Sequence, residues 1–149
     1  MTYTLVPHKG IGSISLYDKY EDVLHILDLN KVKSKIDIQD NSMCTVGFDW
    51  RIINIEDCLK LYFSEGNYKL FQICVEKNAG IILPNNIHVG MKTEEALKID
   101  PNLKFNEWDE IYESSNDYYL EDSLLTGNIE SLNIYVKELN EEDFDSCKW

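Results

Sequence analysis

The stretch "IHVGMKTEEALKI", Ile87 to Ile99, has a near-copy 73 residues earlier in "ISLYDKYEDVLHI", Ile14 to Ile26. Aligned without a gap, five of the thirteen positions are identical and four more are conservative. A second pair follows: "GNYKLFQICVEK" from Gly66 and "GNIESLNIYVKE" from Gly127, both opening Gly-Asn and then alternating apolar with polar residues. In that alignment Phe71 matches Leu132, Ile73 matches Ile134 and Val75 matches Val136, 61 positions apart. The offset falls from 73 to 61, so the first unit is longer in its middle by the difference of twelve. A chain that states one pattern twice is constrained to two like units that bury a shared core. The expected organisation is a single domain of 149 residues built from two repeats, about 1–78 and 79–149.

Each unit reads as a short extended segment, a helix and a set of antiparallel strands. The extended segments are Gly12–Leu16 and Asn86–Val89. In the first helix Tyr20, Val23, Leu24 and Leu27 recur at helical spacing, and Asp18 with Glu21 has the form of a capping box. In the second, Thr93 is the expected N-cap, Ala96 and Leu97 face the core, and Pro101 ends the helix. "CLKLYFS" and "YKLFQICVE" flank "EGN", and "YYLEDSLL" and "IESLNIYVK" flank "TGN", which are two hairpin signals. "KSKIDI", "CTVGFDW" and "EIYES" supply further strands. The expected fold is α+β: two tandem helix-plus-antiparallel-sheet repeats forming one continuous curved sheet, with helices on one face.

Alternation assigns the two faces of that sheet. Phe71, Ile73 and Val75, with Leu132, Ile134 and Val136, form the face the helices should cover. The opposite face holds Tyr68, Leu70, Gln72 and Cys74, with Ile129, Ser131, Asn133 and Tyr135. It is mixed and aromatic. Left open, such a face is a docking surface; covered or merely solvated, it is not.

Charge narrows the partner. The net charge is −13, and residues 106–145 hold thirteen acids against Lys137 alone, a balance of −12. Such a surface repels nucleic acid and anionic membrane and attracts basic proteins; solubility alone is the plainer explanation. Arg51 is the sole arginine, which argues against ligands held by bidentate phosphate forks. The first ten residues, "MTYTLVPHKG", lack the form of a secretory signal, and no apolar run reaches the length of a membrane span, so a cytoplasmic location is expected.

Motifs for catalysis or cofactor binding are missing from the sequence. Cys44, Cys58, Cys74 and Cys147 form no CxxC, and His8, His25 and His88 have no metal-ligand spacing, so neither a metal nor a cofactor is expected. "GIGSIS" lacks the pattern of a phosphate loop and reads as a turn. Carboxylate pairs such as Asp109 and Glu110 read as a solvated acidic face. The chain is therefore expected not to be an enzyme.

The segment "NEWDEIYESSNDYYLED", Asn106 to Asp122, has seven acids and no base, interleaved with four aromatics. Aromatics supply rigid contact area and acids steer a basic partner; half-burial of the same aromatics in the core is the alternative. The expected partner-binding residues are Glu107, Trp108, Asp109, Glu110, Tyr112, Glu113, Asp117, Tyr118, Tyr119, Glu121 and Asp122 from this segment, with Tyr68, Gln72, Asn133 and Tyr135 from the sheet face. The terminal "NEEDFDSCKW" adds acid and reads as a frayed end.

"I-x-V-G-M-K-T-E-E-A-L", Ile87 to Leu97, resembles the opening signature of the small outer-membrane assembly lipoprotein family, a strand ending in Gly-Met before a Glu-rich helix. The first copy has Tyr17-Asp18 at the Gly-Met position. Two such units in tandem resemble the β-lactamase inhibitor protein architecture, in which helix-plus-sheet repeats clamp an enzyme. An acidic, duplicated protein of this type is similar to bacterial immunity proteins. The resemblance implies a binding protein that neutralises a basic toxin domain, a nuclease foremost, by occluding its active site. The rival expectation is a non-enzymatic adaptor or self-associating structural module.

Overall fold

The computed structural model describes residues 3–32, 34–39 and 49–149. The chain is α+β and mostly strand, with two helices and two sheets. The larger sheet has eight strands, all antiparallel: β4 (Ser34–Gln39), β5 (Trp50–Ile55), β6 (Leu59–Ser64), β7 (Leu70–Val75), β9 (Lys104–Asn106), β10 (Ile111–Ser114), β11 (Tyr118–Asp122) and β12 (Ile129–Tyr135). Their order is β4-β5-β6-β7-β12-β11-β10-β9. The smaller sheet, β3-β2-β1-β8, is made of β1 (Tyr3–Val6), β2 (Gly10–Ile11), β3 (Ile14–Ser15) and β8 (Ile81–Ile82). The expectation of one continuous sheet is thus corrected. Ile14–Ser15, within the first leading segment, pairs with β2, and β1, earlier in the chain, runs parallel to β8, all outside the main sheet. Asn86–Val89 is not a strand, and most of "CTVGFDW", Cys44 included, lies outside the described residues.

Helix α1 (Tyr20–Leu29) and helix α2 (Thr93–Ile99) begin without a side-chain cap. This corrects the capping roles expected of Asp18 and Thr93. The reason is tertiary. Tyr20 N–H donates to the Tyr68 carbonyl (2.8 Å) and Thr93 N–H to the Gly127 carbonyl (3.0 Å). Each accepting residue sits in a hairpin loop with left-handed φ, Tyr68 at 59° and Gly127 at 70°. A hairpin loop therefore satisfies a donor that a cap would otherwise take. Asp18 Oδ2 accepts from Ser15 N–H, and Thr93 Oγ1 donates to Asp122 Oδ2 (2.9 Å). Glu21 and Asp22, then Glu94 and Glu95, place negative charge in the first turns, where the helix dipole favours it. Helix α2 stops at Ile99, immediately before Asp100-Pro101.

The two halves share a register that the sequence alignment misses by two positions. Tyr62 pairs with Gln72 and Phe63 with Leu70; Glu121 pairs with Ser131 and Asp122 with Ile129. Both hairpins carry their bulge at the same point, and corresponding residues differ by 59 (62 to 121, 72 to 131) instead of 61. The loops match as well. Gly66 N–H and Leu125 N–H donate to Ser64 Oγ and Ser123 Oγ, at 3.1 and 3.2 Å. Aligning Gly-Asn with Gly-Asn follows composition, whereas the Ser at the head of each loop follows geometry.

The core lies between the main sheet and the layer made by both helices and the small sheet. Ile53, Leu61, Ile73, Val75, Leu120, Leu132 and Ile134 form its floor. Tyr20 packs edge-on against Phe63, and Arg51 lies over the Tyr20 ring. Phe71, expected on this face, occupies the bulge and packs against Tyr62, Phe144 and Trp149. Phe144 and Trp149 belong to the terminal segment, which was expected to fray. It forms two short 3-10 turns, Lys137–Asn140 and Phe144–Ser146, and Phe144 is buried. The segment docks on the Ser64–Lys69 loop, where Asn67 Nδ2 donates to the Cys147 carbonyl (3.4 Å) and Lys69 Nζ to the Trp149 carbonyl (2.8 Å).

Candidate partner-binding face

The second face of the main sheet is built from alternate positions of its central strands. Register places Tyr62, Gln72 and Tyr135 in one row, and Lys60, Cys74, Asn133 and Tyr119 in the next. Glu121 pairs with Ser131, and Glu113 pairs with Tyr119 on one side and Lys104 on the other. The 3-10 turn Lys137–Asn140 borders this face through Leu139 and Asn140, and at its centre Cys74, Ser131, Asn133 and Tyr135 are buried, whereas Glu113 and Glu121 are exposed.

A hydrogen-bonded relay crosses the seam between the two halves. Gln72 Nε2 donates to Tyr119 Oη (2.8 Å) and to Asn133 Oδ1 (3.0 Å). Asn133 Nδ2 donates to Ser131 Oγ (3.1 Å), and Ser131 Oγ to Glu121 Oε1 (3.0 Å). Each such bond contributes about 1 kcal/mol net, and its larger effect is to fix side chains that would otherwise rotate freely. Lys60 pairs with Glu76 at 2.8 Å beside the relay. Burial pushes the Cys74 thiol up to about 12 and the Tyr62 hydroxyl up to about 12, and it raises Tyr119 as well. Cys74 is therefore a protonated, unreactive thiol at neutral pH.

The fifteen residues expected at the partner site separate into three groups. Gln72, Glu113, Tyr119, Glu121, Asn133 and Tyr135 share this face, with Glu113 and Glu121 exposed, Gln72 and Tyr119 half-buried, and Asn133 and Tyr135 buried. Glu107, Trp108, Asp109 and Glu110 sit on the turn between β9 and β10 at the sheet's edge, with Trp108 96% exposed. The remaining residues lie elsewhere. Tyr68 lies in the hairpin loop, outside the strand. Tyr112 is on the core side, packed against Phe105. Asp117 bonds His8 Nε2, and Asp122 accepts from Thr93. Tyr118 is only 2% exposed, because strand alternation turns it into the core.

Tyr118 belongs to an arrangement the sequence did not reveal. Its hydroxyl donates to Asp100 Oδ2 (2.5 Å), which also accepts from Ser114 Oγ (2.7 Å) and Asn116 Nδ2 (3.3 Å). Asn102 N–H donates to Oδ1 (3.0 Å). Burial pushes the Asp100 carboxyl upward, but these four bonds outweigh it and hold the group below its ordinary value. The clamp joins the end of α2 to the β10–β11 hairpin. In sequence Asp100 is only the residue before a helix-ending proline.

One further feature distinguishes the halves. Leu124 and Leu125, at the β11–β12 loop, are 95% and 97% exposed, whereas at the matching loop Cys147 of the terminal segment stands against Gly66. Among the described residues no group of three or more His, Cys, Asp and Glu is placed to hold a metal ion. Among them, too, no helix is long and apolar enough to cross a membrane.

Fold and face together define a two-sheet α+β protein with a polar-aromatic sheet face edged by exposed carboxylates. No family model, no curated protein and no solved structure matches the chain.

Proposed function

We propose that this chain is a binding protein of the immunity type, which neutralises a basic toxin domain, a nuclease foremost, by seating the acidic margin of this sheet face over the toxin's active site. The observation that carries this reading is the exposed acidic margin of the polar-aromatic sheet face, Glu107, Asp109, Glu110, Glu113 and Glu121. The face is pre-organised by the Gln72–Asn133–Ser131–Glu121 relay and lies beside the acid-rich β9–β10 turn. Fixed side chains lower the ordering cost of association, and acids next to them accelerate encounter with a basic surface. The repeated helix-plus-meander order of the two halves, joined through β7 and β12, supports a tandem duplication whose purpose is width. Neither half alone offers a face of this size.

The test is co-expression with the product of the neighbouring upstream gene, recording growth and co-purification. Rescue of growth together with a co-purifying complex supports the proposal; a harmless neighbour or no complex removes it. The complex should also weaken with salt. Raising sodium chloride from about 50 to 500 mM is expected to slow association by at least about tenfold while changing dissociation little. A salt-independent association rate would eliminate electrostatic steering.

A second reading, self-association, is favoured by Leu124 and Leu125 alone. Sedimentation across a hundredfold concentration range, with and without Leu124→Ser and Leu125→Ser, decides it. A constant monomer mass rejects it.

A further inference from the structure

Resting on the proposed binding role, we propose that the partner is engaged at one end of the main sheet, where Trp108, Leu124 and Leu125 receive a basic, amphipathic helix. These side chains are 96%, 95% and 97% exposed, and every other large apolar side chain among the described residues is 67% exposed or less. Strand order brings the three together. β10 and β11 are antiparallel with Tyr112 opposite Leu120, so the turn ahead of β10 and the loop after β11 leave the sheet at the same end. That register, carried four residues further, sets Trp108 level with Leu124. The two turns stand two strand spacings apart, about 10 Å. Together the three side chains offer roughly 300–500 Å² of apolar surface, a size at which a patch on a soluble chain is often functional.

The turn backbones are fixed. Asn106 Oδ1 accepts from the Trp108 and Asp109 N–H groups (3.0 and 3.2 Å), and Ser123 Oγ from those of Leu125 and Thr126 (3.2 and 3.3 Å). Such bonds lower the ordering cost of association. Charge selects the occupant. From Phe105 to Val136 the chain has eight acids and no Lys, Arg or His. Glu107, Asp109 and Glu110 flank Trp108, and Glu121 and Glu130 stand exposed on either side of the leucine loop. A base does reach this loop, Lys92 beside Asn128, and Glu94 and Glu95 at the start of α2 offset it. A second copy would bring the same acids to the contact and be repelled, and an anionic membrane would be repelled likewise. The complementary surface is apolar at its centre and rimmed by Lys and Arg. A helix is about 10–12 Å across, so one helix covers both turns, with its apolar stripe on Trp108 and the leucines.

The test is isothermal titration of the full chain with two acetylated, amidated peptides of about eighteen residues and equal charge. One carries Leu and Lys at amphipathic helical spacing; the other has every Leu replaced by Ser. The Leu-Lys peptide is expected to bind at least about tenfold tighter. Trp108→Ser should weaken it at least about fivefold, and Leu124→Ser with Leu125→Ser by a similar factor. Leu29→Ser removes a leucine of α1 that is 67% exposed and should change binding less than about twofold. Tryptophan emission should shift to the blue on binding in the unmodified chain and not in Trp108→Ser. All the substituted side chains are exposed, so the unfolding midpoints should match that of the unmodified chain. Equal affinity for the two peptides, or an equal loss from Leu29→Ser, overturns the proposal in favour of a diffuse acidic field. Binding to phosphatidylcholine vesicles and not to the peptide, or a dimer mass that Leu124→Ser with Leu125→Ser abolishes, overturns it in favour of a membrane or a second copy. If the co-expressed toxin binds Trp108→Ser undiminished, the binding role stands and this sheet end is not its contact.

Discussion

Replacing Asp100 with alanine will lower the unfolding free energy by about 3–4 kcal/mol, measured by urea denaturation at pH 7. The substitution leaves the Tyr118 and Ser114 hydroxyls without their acceptor, and both residues are buried. Each stranded group costs about 1–3 kcal/mol, more than the bond itself contributed. Tyr118→Phe removes one donor and leaves the carboxylate its others, so it should cost only about 1–1.5 kcal/mol. The effect has a sign in pH. The folded-state pKa of Asp100 is lowered from 3.8, so its contribution is complete above that value and fades as pH falls through the folded value. The gap between the unmodified chain and Asp100→Ala should therefore narrow below about pH 4. A gap that is constant from neutral pH down to pH 2 would mean the carboxylate's charge plays no part.

Phe144→Ala is expected to cost about 3 kcal/mol by the same measurement. The Phe144 ring stacks on Trp149 at 5.0 Å and 9° and meets Phe71 edge-on at 5.4 Å, so its loss opens a cavity shared by three elements. Fluorescence of the tryptophans should shift to the red as Trp149 becomes hydrated. The docking can be challenged from the other side. A Cβ at position 66 would stand 2.4 Å from Cys147 Sγ and 2.8 Å from Cys147 Cβ. Gly66→Ala should therefore destabilise by about 1–3 kcal/mol, and mostly through Cys147. Cys147→Gly removes the obstructing side chain at a residue with φ of 56°. In that background Gly66→Ala should cost less than about 1 kcal/mol. Additive effects of the two substitutions would show that the terminal segment is not held there.

These expectations concern contacts the sequence did not reveal, and the reason differs in each case. The Asp100 clamp joins residues 100, 114, 116 and 118 across a helix end and a hairpin, and nothing in the spacing marks an aspartate before a proline as buried. The terminal segment is acidic and polar except at Phe144, Cys147 and Trp149, and acid content outweighed those three in the reading of its order. Tyr118 and Tyr112 pack toward the core while Glu113, Tyr119 and Glu121 lie on the other side, because a strand sends neighbours to opposite faces, and acid content counted along the chain does not show this.

What the sequence determined by itself was the local pattern. The helical stripe of Tyr20, Val23 and Leu27, the two hairpins and the core-facing Ile73, Val75, Leu132 and Ile134 were all legible, because period and turn chemistry are properties of short segments. What the tertiary structure decided was everything that depends on who meets whom. It paired Tyr3–Val6 with Ile81–Ile82 in a second sheet, replaced two side-chain caps by loop carbonyls, and set the correspondence of the two hairpins at 59 instead of 61. It also gathered Gln72, Tyr119, Asn133 and Tyr135 from three strands onto one face. Backbone donors take whichever acceptor the assembled fold brings within reach, and residues far apart in sequence become neighbours only once the strands have chosen their order.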